Sequence, residues 1–378
     1  MHRHDLIILG AGAAGLMCAA TMPPMDALIL EHNAEPALKI KISGGGRCNI
    51  TNVNLSPSDY LGDSSFISRV FETFDNKDLL EFLRKRGLKP ILRKESQYFC
   101  PNSSKEIIEL LLQEASKIPI KYGVEVMGVK KRKDLFEVES SAGTFYAKKL
   151  LVASGGLSYP TCGASPIGYD IAASFGHTVV ATRPALVGLT LQPEEFWMRD
   201  LAGLSLPVEI AVGRRKICSD LLFAHRGITG PAVLDASLFW NRGKITVDFL
   251  PTKRLKTLFR SSYKSALSQI PLPKRFVKAF FDALKIPETP YAKMSEEQKQ
   301  RLSLLKSYAF APAGSFGYGK AEVTKGGVAT DEVDPSTMES LLVEGLYFAG
   351  EVLDVTGRVG GYNFQWAFST AVVAAKSL

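Results

Sequence analysis

The run Gly10-Ala11-Gly12-Ala13-Ala14-Gly15 constrains the fold of this chain more than any other segment, because of what stands on either side of it. Residues 5–10 read as a short apolar strand, and residues 13–22 as a helix stopped by Pro23-Pro24. Between a strand and a helix, the first glycine permits the tight turn and the second lets a pyrophosphate approach the backbone. The third lets helix and strand pack closely, while the helix N-terminus offers amide donors and the positive end of its dipole. Residues 26–31 form a second strand ending in Glu31, 21 positions after Gly10 and followed by His32. A carboxylate there reaches ribose hydroxyls. The segment therefore predicts a dinucleotide site on a Rossmann-like α/β domain.

Strand and helix patterns keep alternating through the N-terminal third, as a parallel sheet covered by helices requires. A helix is expected over 77–86, with Asn76 as its cap and Gly87 ending it. Ser103 and Glu106 form a capping box for the helix carrying Ile107, Leu111 and Leu112. Strands at 124–130, 136–140 and 144–147 suggest a meander, and 149–153 reads as a separate buried strand. Near residue 187 the texture changes to alternating segments such as 208–212 and 244–249. Residues 346–350 again read as a buried strand and 363–375 as a final helix. The chain thus divides into a dinucleotide-binding domain of residues 1–186 and 341–378, interrupted by an insertion of 187–340. Within the insertion, 187–250 and 311–340 are β-rich and 251–310 is a small helical unit.

Of the net charge of +8, the segment 251–310 holds 13 Lys/Arg against 4 Asp/Glu, so the remainder is about neutral. Its apolar residues Phe276, Phe280, Phe281 and Leu284 fall at helical spacing, which leaves the basic residues on a solvated face. A nucleic-acid partner is accordingly disfavoured, although a basic module of this kind is what such binding would use. Five cysteines without a C-x-x-C pair argue against a disulfide scaffold and a structural zinc site. No metal centre is expected. Basic Met1-His2-Arg3-His4 before the apolar stretch 6–20 is outwardly like a signal peptide. The spaced glycines and the acidic strand tip are not what secretion needs, and a reducing cytoplasm fits best. No apolar run reaches the roughly 18 residues of a membrane span.

Three further motifs belong at the same sheet edge. Lys39-Ile-Lys-Ile-Ser43-Gly-Gly45-Gly46-Arg47-Cys48-Asn49-Ile-Thr51-Asn52 is dense in hydrogen-bond donors and in glycines that admit a ligand to the backbone. Ala153-Ser154-Gly155-Gly156 closes the strand 149–153. Gly350-Glu351 and Asp354 follow the strand 346–350, and Gly361-Tyr362-Asn363-Phe364 opens the last helix. A ribitol chain suits Asp354, and that helix N-terminus suits an electron-rich ring edge.

Together these motifs resemble the BaiN-type (YhiN-like) family of NAD(P)/FAD-dependent flavoproteins, of the glutathione-reductase-like FAD superfamily, over essentially the whole chain. The most specific signatures are KISGGGRCNITN at 39–52 and GLYFAGEVLD…GGYNFQWA at 345–367; Phe223–Ala232 resembles a segment of the family's insertion. The resemblance implies FAD held by Gly10, Gly12, Ala13, Ala14, Gly15, Glu31, His32, Lys39, Gly45, Gly46, Arg47, Cys48, Asn49 and Val126. It adds Ala153, Ser154, Gly155, Gly350, Glu351, Asp354, Gly361, Tyr362, Asn363 and Phe364. The chain departs from the family pattern at Gly163-Ala-Ser-Pro166-Ile167-Gly168, where G-S-T-G-D-G is usual. Thr356 stands where an acidic residue is common, and Arg358 replaces an uncharged one.

No catalytic residue is legible. Cys48 invites a redox-thiol role beside Arg47, but disulfide exchange needs a second cysteine and none is near in sequence. His225 precedes Gly227-Ile-Thr229-Gly230-Pro231, a helix start, where it is a structural cap or orients a substrate. Tyr362 is a proton donor or a wall of the ring pocket. The expected activity is hydride transfer through FAD to a small organic substrate, with NAD(P)H as a transient donor, since no second GxGxxG follows a strand. The alternatives are a flavin-dependent RNA-modifying enzyme using the basic module, and a flavin oxidase. The insertion, tethered at both ends to the FAD domain, is expected to act as a lid.

Overall fold

Leu6-Ile7-Ile8-Leu9 is apolar on both faces, and such a run is stable as a strand only when covered on both sides. In the computed structural model, which describes residues 2–94, 96–259, 261 and 263–378, these four residues are buried and end β1 (Arg3–Leu9). Met1 of the basic start and Arg260 of the basic segment lie outside the described residues. After α1 (Ala13–Thr21) the chain enters β2 (Ala27–Leu30), parallel to β1 with Leu6 opposite Ala27 and Leu9 opposite Leu30. β3 (Ile120–Lys121) extends the sheet on the far side of β2, also in parallel.

β4 (Val126–Arg132) and β5 (Leu135–Ser140) form an antiparallel hairpin, and β6 (Gly143–Val152) continues the meander. The two strands expected at 144–147 and 149–153 are one. Pairing of β6 with β1 keeps one register from Tyr146 opposite Arg3 to Val152 opposite Leu9, on either side of Lys148. The other edge of β6 changes partner instead. Its first half is antiparallel to β5, and Leu150–Val152 is parallel to β7 (Leu346–Phe348). The result is a mainly parallel Rossmann-type sheet.

α2 (Tyr362–Ser377) is buried along most of its length and packs against α1. Its buried polar side chains are mutually satisfied, as burial demands. Thr51 Oγ1 donates to Gln365 Oε1 at 2.6 Å, Gln365 Nε2 to Ser369 Oγ at 2.9 Å, and Ser369 Oγ to the Phe74 carbonyl at 2.8 Å. This network ties the end of the chain to the strand Asn49–Asn52. The helix Asn76–Lys85 is capped by Asp75 rather than Asn76: Asp75 accepts from Lys77 and Asp78, and Asp78 reciprocates. Asn76 instead donates to the carbonyls of Asn52 and Val53, 2.7 and 3.0 Å away. The expected Ser103–Glu106 capping box is only half formed: Glu106 accepts from the Ser103 N–H, but Ser103 Oγ accepts from Lys105, and the helix Lys105–Glu114 is capped at Ser104 without a side-chain hydrogen bond.

The chain divides into two compact units, residues up to 184 with 322 onward, and residues 185–321. The return at 322 precedes the 341 expected from sequence texture, because the strand Val323–Val328 pairs with Val179–Ala185 and is fully buried in the first unit. The second unit is an antiparallel sheet around the long hairpin Ser205–Val212 and Arg215–Ala224. The helix Lys274–Ala283 buries Phe276, Val277, Phe280 and Phe281 in the same core as Phe223 and Phe249 and leaves Lys274, Arg275 and Lys278 exposed. No helix among the described residues is long and apolar enough to cross a membrane.

Candidate functional site

In an open parallel sheet, ligands bind beyond the carboxyl ends of the strands. β1, β2, β6 and β7 all end at one side of the first unit, and the loops that follow them line a cavity of about 870 Å³. That is within the range of enclosed ligand sites, roughly 300–1,000 Å³.

The three motif glycines have separable duties. Gly10 has φ +101°, and a Cβ there would lie 2.8 Å from the Ala153 carbonyl oxygen, where the ends of β1 and β6 meet. A Cβ on Gly15 would lie 1.9 Å from the Gly10 carbonyl oxygen, so this residue sets the approach of α1 to the turn. A Cβ on Gly12 would meet nothing within 4 Å, and Gly12 lines the cavity. It caps α1 without a side-chain hydrogen bond, so the first-turn amides of α1 have no intrahelical partner. α2 begins in the same way at Gly361, and Gly361, Asn363 and Phe364 line the cavity too. Two helix N-termini therefore face one cavity, an arrangement suited to anionic or electron-rich groups.

Glu31 is buried, and its carboxylate is already organised. Oε2 accepts from the Ala11 N–H at 2.6 Å, and Oε1 from the Asn33 N–H and side-chain amide, both at 2.8 Å. A carboxylate oxygen has two lone pairs, so Oε2 retains capacity for a ribose hydroxyl. Lys39 Nζ forms an ion pair with Glu351 Oε2 at 2.5 Å, and Glu351 Oε1 accepts from the Thr324 N–H at 2.8 Å. Asn363 accepts from and donates to the Gly357 backbone, both at 2.9 Å, so its side chain braces the turn before α2.

The structure brings together in this cavity Gly10, Gly12, Ala13, Ala14, Glu31, His32, Lys39, Gly45, Arg47, Asn49, Val126, Ala153, Ser154, Gly155, Gly350, Glu351, Gly361, Asn363 and Phe364. One observation marks it as built for a large polar ligand: positions Gly12, Gly45 and Gly155 open onto free space, so backbone is presented directly. The donor set and the open backbone fit an FAD molecule.

Gly15, Gly46, Cys48, Asp354 and Tyr362 do not line the cavity. After the turn Gly350–Val352 the chain hydrogen-bonds to the strand Val323–Val328 through Asp354 N and the Val328 carbonyl, which carries Asp354 off the wall. Burial raises its carboxyl above the usual range, against a hydrogen bond from the Gly326 backbone. Tyr362 packs its ring against Tyr60, 5.8 Å between centroids, inside a cluster with Phe71 and Trp366, so it neither walls the cavity nor faces a substrate there. His225 lies in the second unit, exposed in the two-residue turn between Arg215–Ala224 and Gly227–Thr229. It is not a helix cap, although Pro231 does open the helix Pro231–Phe239.

Cys48 is fully buried with φ +46°, and burial pushes its thiol well above the ordinary range, with the neighbouring Cys100 adding to the effect. Cys100, distant in sequence, is pushed up to about 12 by burial. Arg47 is not among the groups that lower it, so burial favours the thiol form and a packing role for Cys48. Cys48→Ser is expected to keep its flavin and most of its turnover, read from the absorbance spectrum and steady-state rates. A loss beyond about a hundredfold with flavin retained, roughly 2.7 kcal/mol of barrier, would make it a redox thiol.

Ser340, His177 and Glu332 have the connectivity of a nucleophilic triad, with His177 Nε2 2.7 Å from Ser340 Oγ and Nδ1 3.2 Å from Glu332. They serve as a brace instead. All three lie off the cavity, the ring is buried, and Ser340 Oγ already accepts from the Leu342 and Val343 N–H groups. Burial lowers the His177 pKa, which keeps the ring neutral.

Sequence reasoning missed the wall contributed by Asn33, Tyr159 and Glu322, and the ordering role of Thr324. Asn33 links Glu31 to the Cys162 carbonyl at 3.2 Å, and Thr324 Oγ1 accepts from Leu157 and Ser158 at 2.8 and 3.1 Å. The one available signal was the departure at 163–168, since the Pro166-Ile167 start of a helix occupies that position.

Comparison with known proteins agrees with this geometry. The family model described as the HI0933-like protein Rossmann domain matches residues 4–377. The chain is 38% identical to a ribosomal RNA dihydrouridine synthase of Escherichia coli (strain K12), over 100% of this chain and 98% of that one. It is 30% identical to a 3-dehydro-bile acid delta(4,6)-reductase of Clostridium scindens, over 98% of each. Among solved structures, 3-ketosteroid-delta4-(5alpha)-dehydrogenase from Rhodococcus jostii RHA1 aligns with a TM-score of 0.54 at 13% identity, covering 100% of this chain and 96% of that one, which is a likeness of fold.

Proposed function

This chain belongs to the HI0933-like family of FAD-dependent oxidoreductases, and from that premise we propose that it reduces a carbon–carbon double bond conjugated to a carbonyl, in a uridine of ribosomal RNA. The observation that carries the reading is the cavity walled by two helix N-termini, in a chain whose relatives are named for saturating such bonds. FAD, when bound, supplies the hydride-transfer chemistry. The Gly12–Ala14 backbone would hold its pyrophosphate and Glu31 its adenosine ribose. The amides opening α2 would stabilise negative charge that develops on a ring edge or a conjugated carbonyl oxygen.

RNA displaces the small molecule expected from the sequence for two reasons. The relative named for RNA matches at the higher identity, 38% against 30%, and the segment 251–310 carries a balance of +9 that phosphates would neutralise. NAD(P)H is the proposed electron donor, binding transiently because no second dinucleotide fingerprint exists. The bile-acid relative supports a second reading, a small conjugated ketone as substrate.

The test is anaerobic reduction of the purified holoprotein with NADPH or NADH, followed by unmodified ribosomal RNA or a steroid 4-en-3-one. Mass spectrometry of nucleosides should show uridine gaining two hydrogens. Turnover of the enone alone would establish the second reading. Reoxidation by oxygen alone, with neither acceptor reduced, would overturn the reductase assignment.

A further inference from the structure

At the amino ends of the same strands, remote from the cofactor cavity, we propose that His2, His4 and Asp26 form a binding site for a divalent transition metal, with Zn²⁺ the best match to the donors. His4 lies in β1 and His2 directly precedes it, two residues apart, and the rings of both turn to Asp26. Asp26 directly precedes β2, the parallel neighbour of β1, and its carbonyl accepts from the N–H groups of Asp5 and Leu6 at 2.8 and 3.2 Å. That backbone pairing fixes the carboxylate opposite the two rings.

The donor atoms are already converged. Asp26 Oδ1 is 3.0 Å from His4 Nδ1, Oδ2 is 3.0 Å from His2 Nε2, and one donor atom from each residue falls within a 4.8 Å group. The rings meet edge to face, 4.3 Å between centroids. Zinc bonds of about 2.0–2.2 Å to nitrogen and oxygen require ligand atoms a little over 3 Å apart in a tetrahedron. Small side-chain rotations reach that spacing, and the His4 side chain, only 12% exposed, is held in place. Two imidazoles and one carboxylate are a borderline donor set that suits Zn²⁺, Co²⁺ and Ni²⁺ over Ca²⁺ or Mg²⁺.

Three protein ligands leave a coordination position, and there is room for its occupant. A concavity of about 600 Å³ lined by His2, His4, Leu28, Lys121, Phe145 and Tyr146 opens beside the cluster. Lys121 in that wall favours water or an anion as the fourth ligand. Coordination would clip the first strand to the entry of the second, so bound metal should stabilise the first unit. The cysteine count, which argued against structural zinc, did not address this histidine–carboxylate set.

The test uses the FAD-loaded full chain carrying no histidine tag and stripped with chelator, titrated calorimetrically with ZnCl₂ near neutral pH. One equivalent should bind with a dissociation constant of about micromolar order, and CoCl₂ should give the visible bands of low-symmetry coordination. His4→Ala and Asp26→Asn should each weaken binding about tenfold or more, with flavin absorbance unchanged. His2→Ala, at an exposed position, should do the same even if His4→Ala fails to fold. Cys218→Ser should bind as the unaltered chain does, which separates the site from the exposed thiol. The proposal is overturned if the unaltered chain shows no saturable binding below about millimolar zinc, or if the three ligand variants retain its affinity.

Discussion

Gly12→Val is expected to yield a folded, colourless protein. A side chain at this position meets nothing within 4 Å, and the backbone, at φ −84° and ψ −163°, is one that any residue adopts. The fold therefore has no reason to reject valine. Gly12 nevertheless stands at the start of α1 on the cavity wall, where the pyrophosphate of the proposed FAD site would need the backbone itself. The added methyls take the space of the phosphate oxygens and hold them away from the helix amides. Affinity for FAD should fall by more than about a hundredfold, over 2.7 kcal/mol, with circular dichroism unchanged. Flavin released on denaturation and quantified by chromatography reads the result. A yellow Gly12→Val protein with full FAD occupancy would show that the cofactor lies elsewhere.

Three residues along the same motif the opposite outcome is expected. Gly15→Ala places a Cβ 1.9 Å from the Gly10 carbonyl oxygen and 3.3 Å from an Ile8 methyl, inside the buried contact of α1 with β1. Neither neighbour is the flexible end of a long side chain, so α1 must move off the sheet. Overpacking of this kind costs about 3 kcal/mol or more, a large share of a total stability of roughly 5–15 kcal/mol. The melting temperature should drop by about 6–12 °C, and FAD content should fall only in proportion to the folded fraction. Thermal melts beside Gly12→Ala make the comparison. Gly15→Ala melting within about 2 °C of the unaltered chain would mean that α1 tolerates displacement from β1.

The contrast marks what local sequence can carry. Strand, turn and helix from 3 to 31 are consecutive, and their periodicity, their glycines and the acidic tip were readable because each depends on neighbours within a few residues. The same holds for Gly361 opening α2 and for the apolar face of Lys274–Ala283. The errors came where a local rule met a long-range partner. Asn76 looked like a cap, but its side chain was drawn to the carbonyls of Asn52 and Val53, leaving Asp75 to cap. β6 looked like two strands, but β1 pairs with it in one register on both sides of Lys148.

The sequence by itself thus determined a first βαβ unit with an open glycine turn, and that motifs near residues 45, 154, 350 and 361 join it at one cavity. Only the tertiary structure decided which members of those motifs face the ligand. Cys48 was sealed beside Cys100 because the strand Asn49–Asn52 pairs with Gln97–Phe99, and Asp354 was drawn off the wall by the strand Val323–Val328. Tyr159, Asn33 and Glu322 reached the cavity from positions that no motif singled out. The reason is physical: motif glycines encode local backbone conformation, whereas the direction of a neighbouring side chain is set by sheet order and strand register. Those depend on partners a hundred or more residues away, such as β7 on β6, and no local periodicity records them.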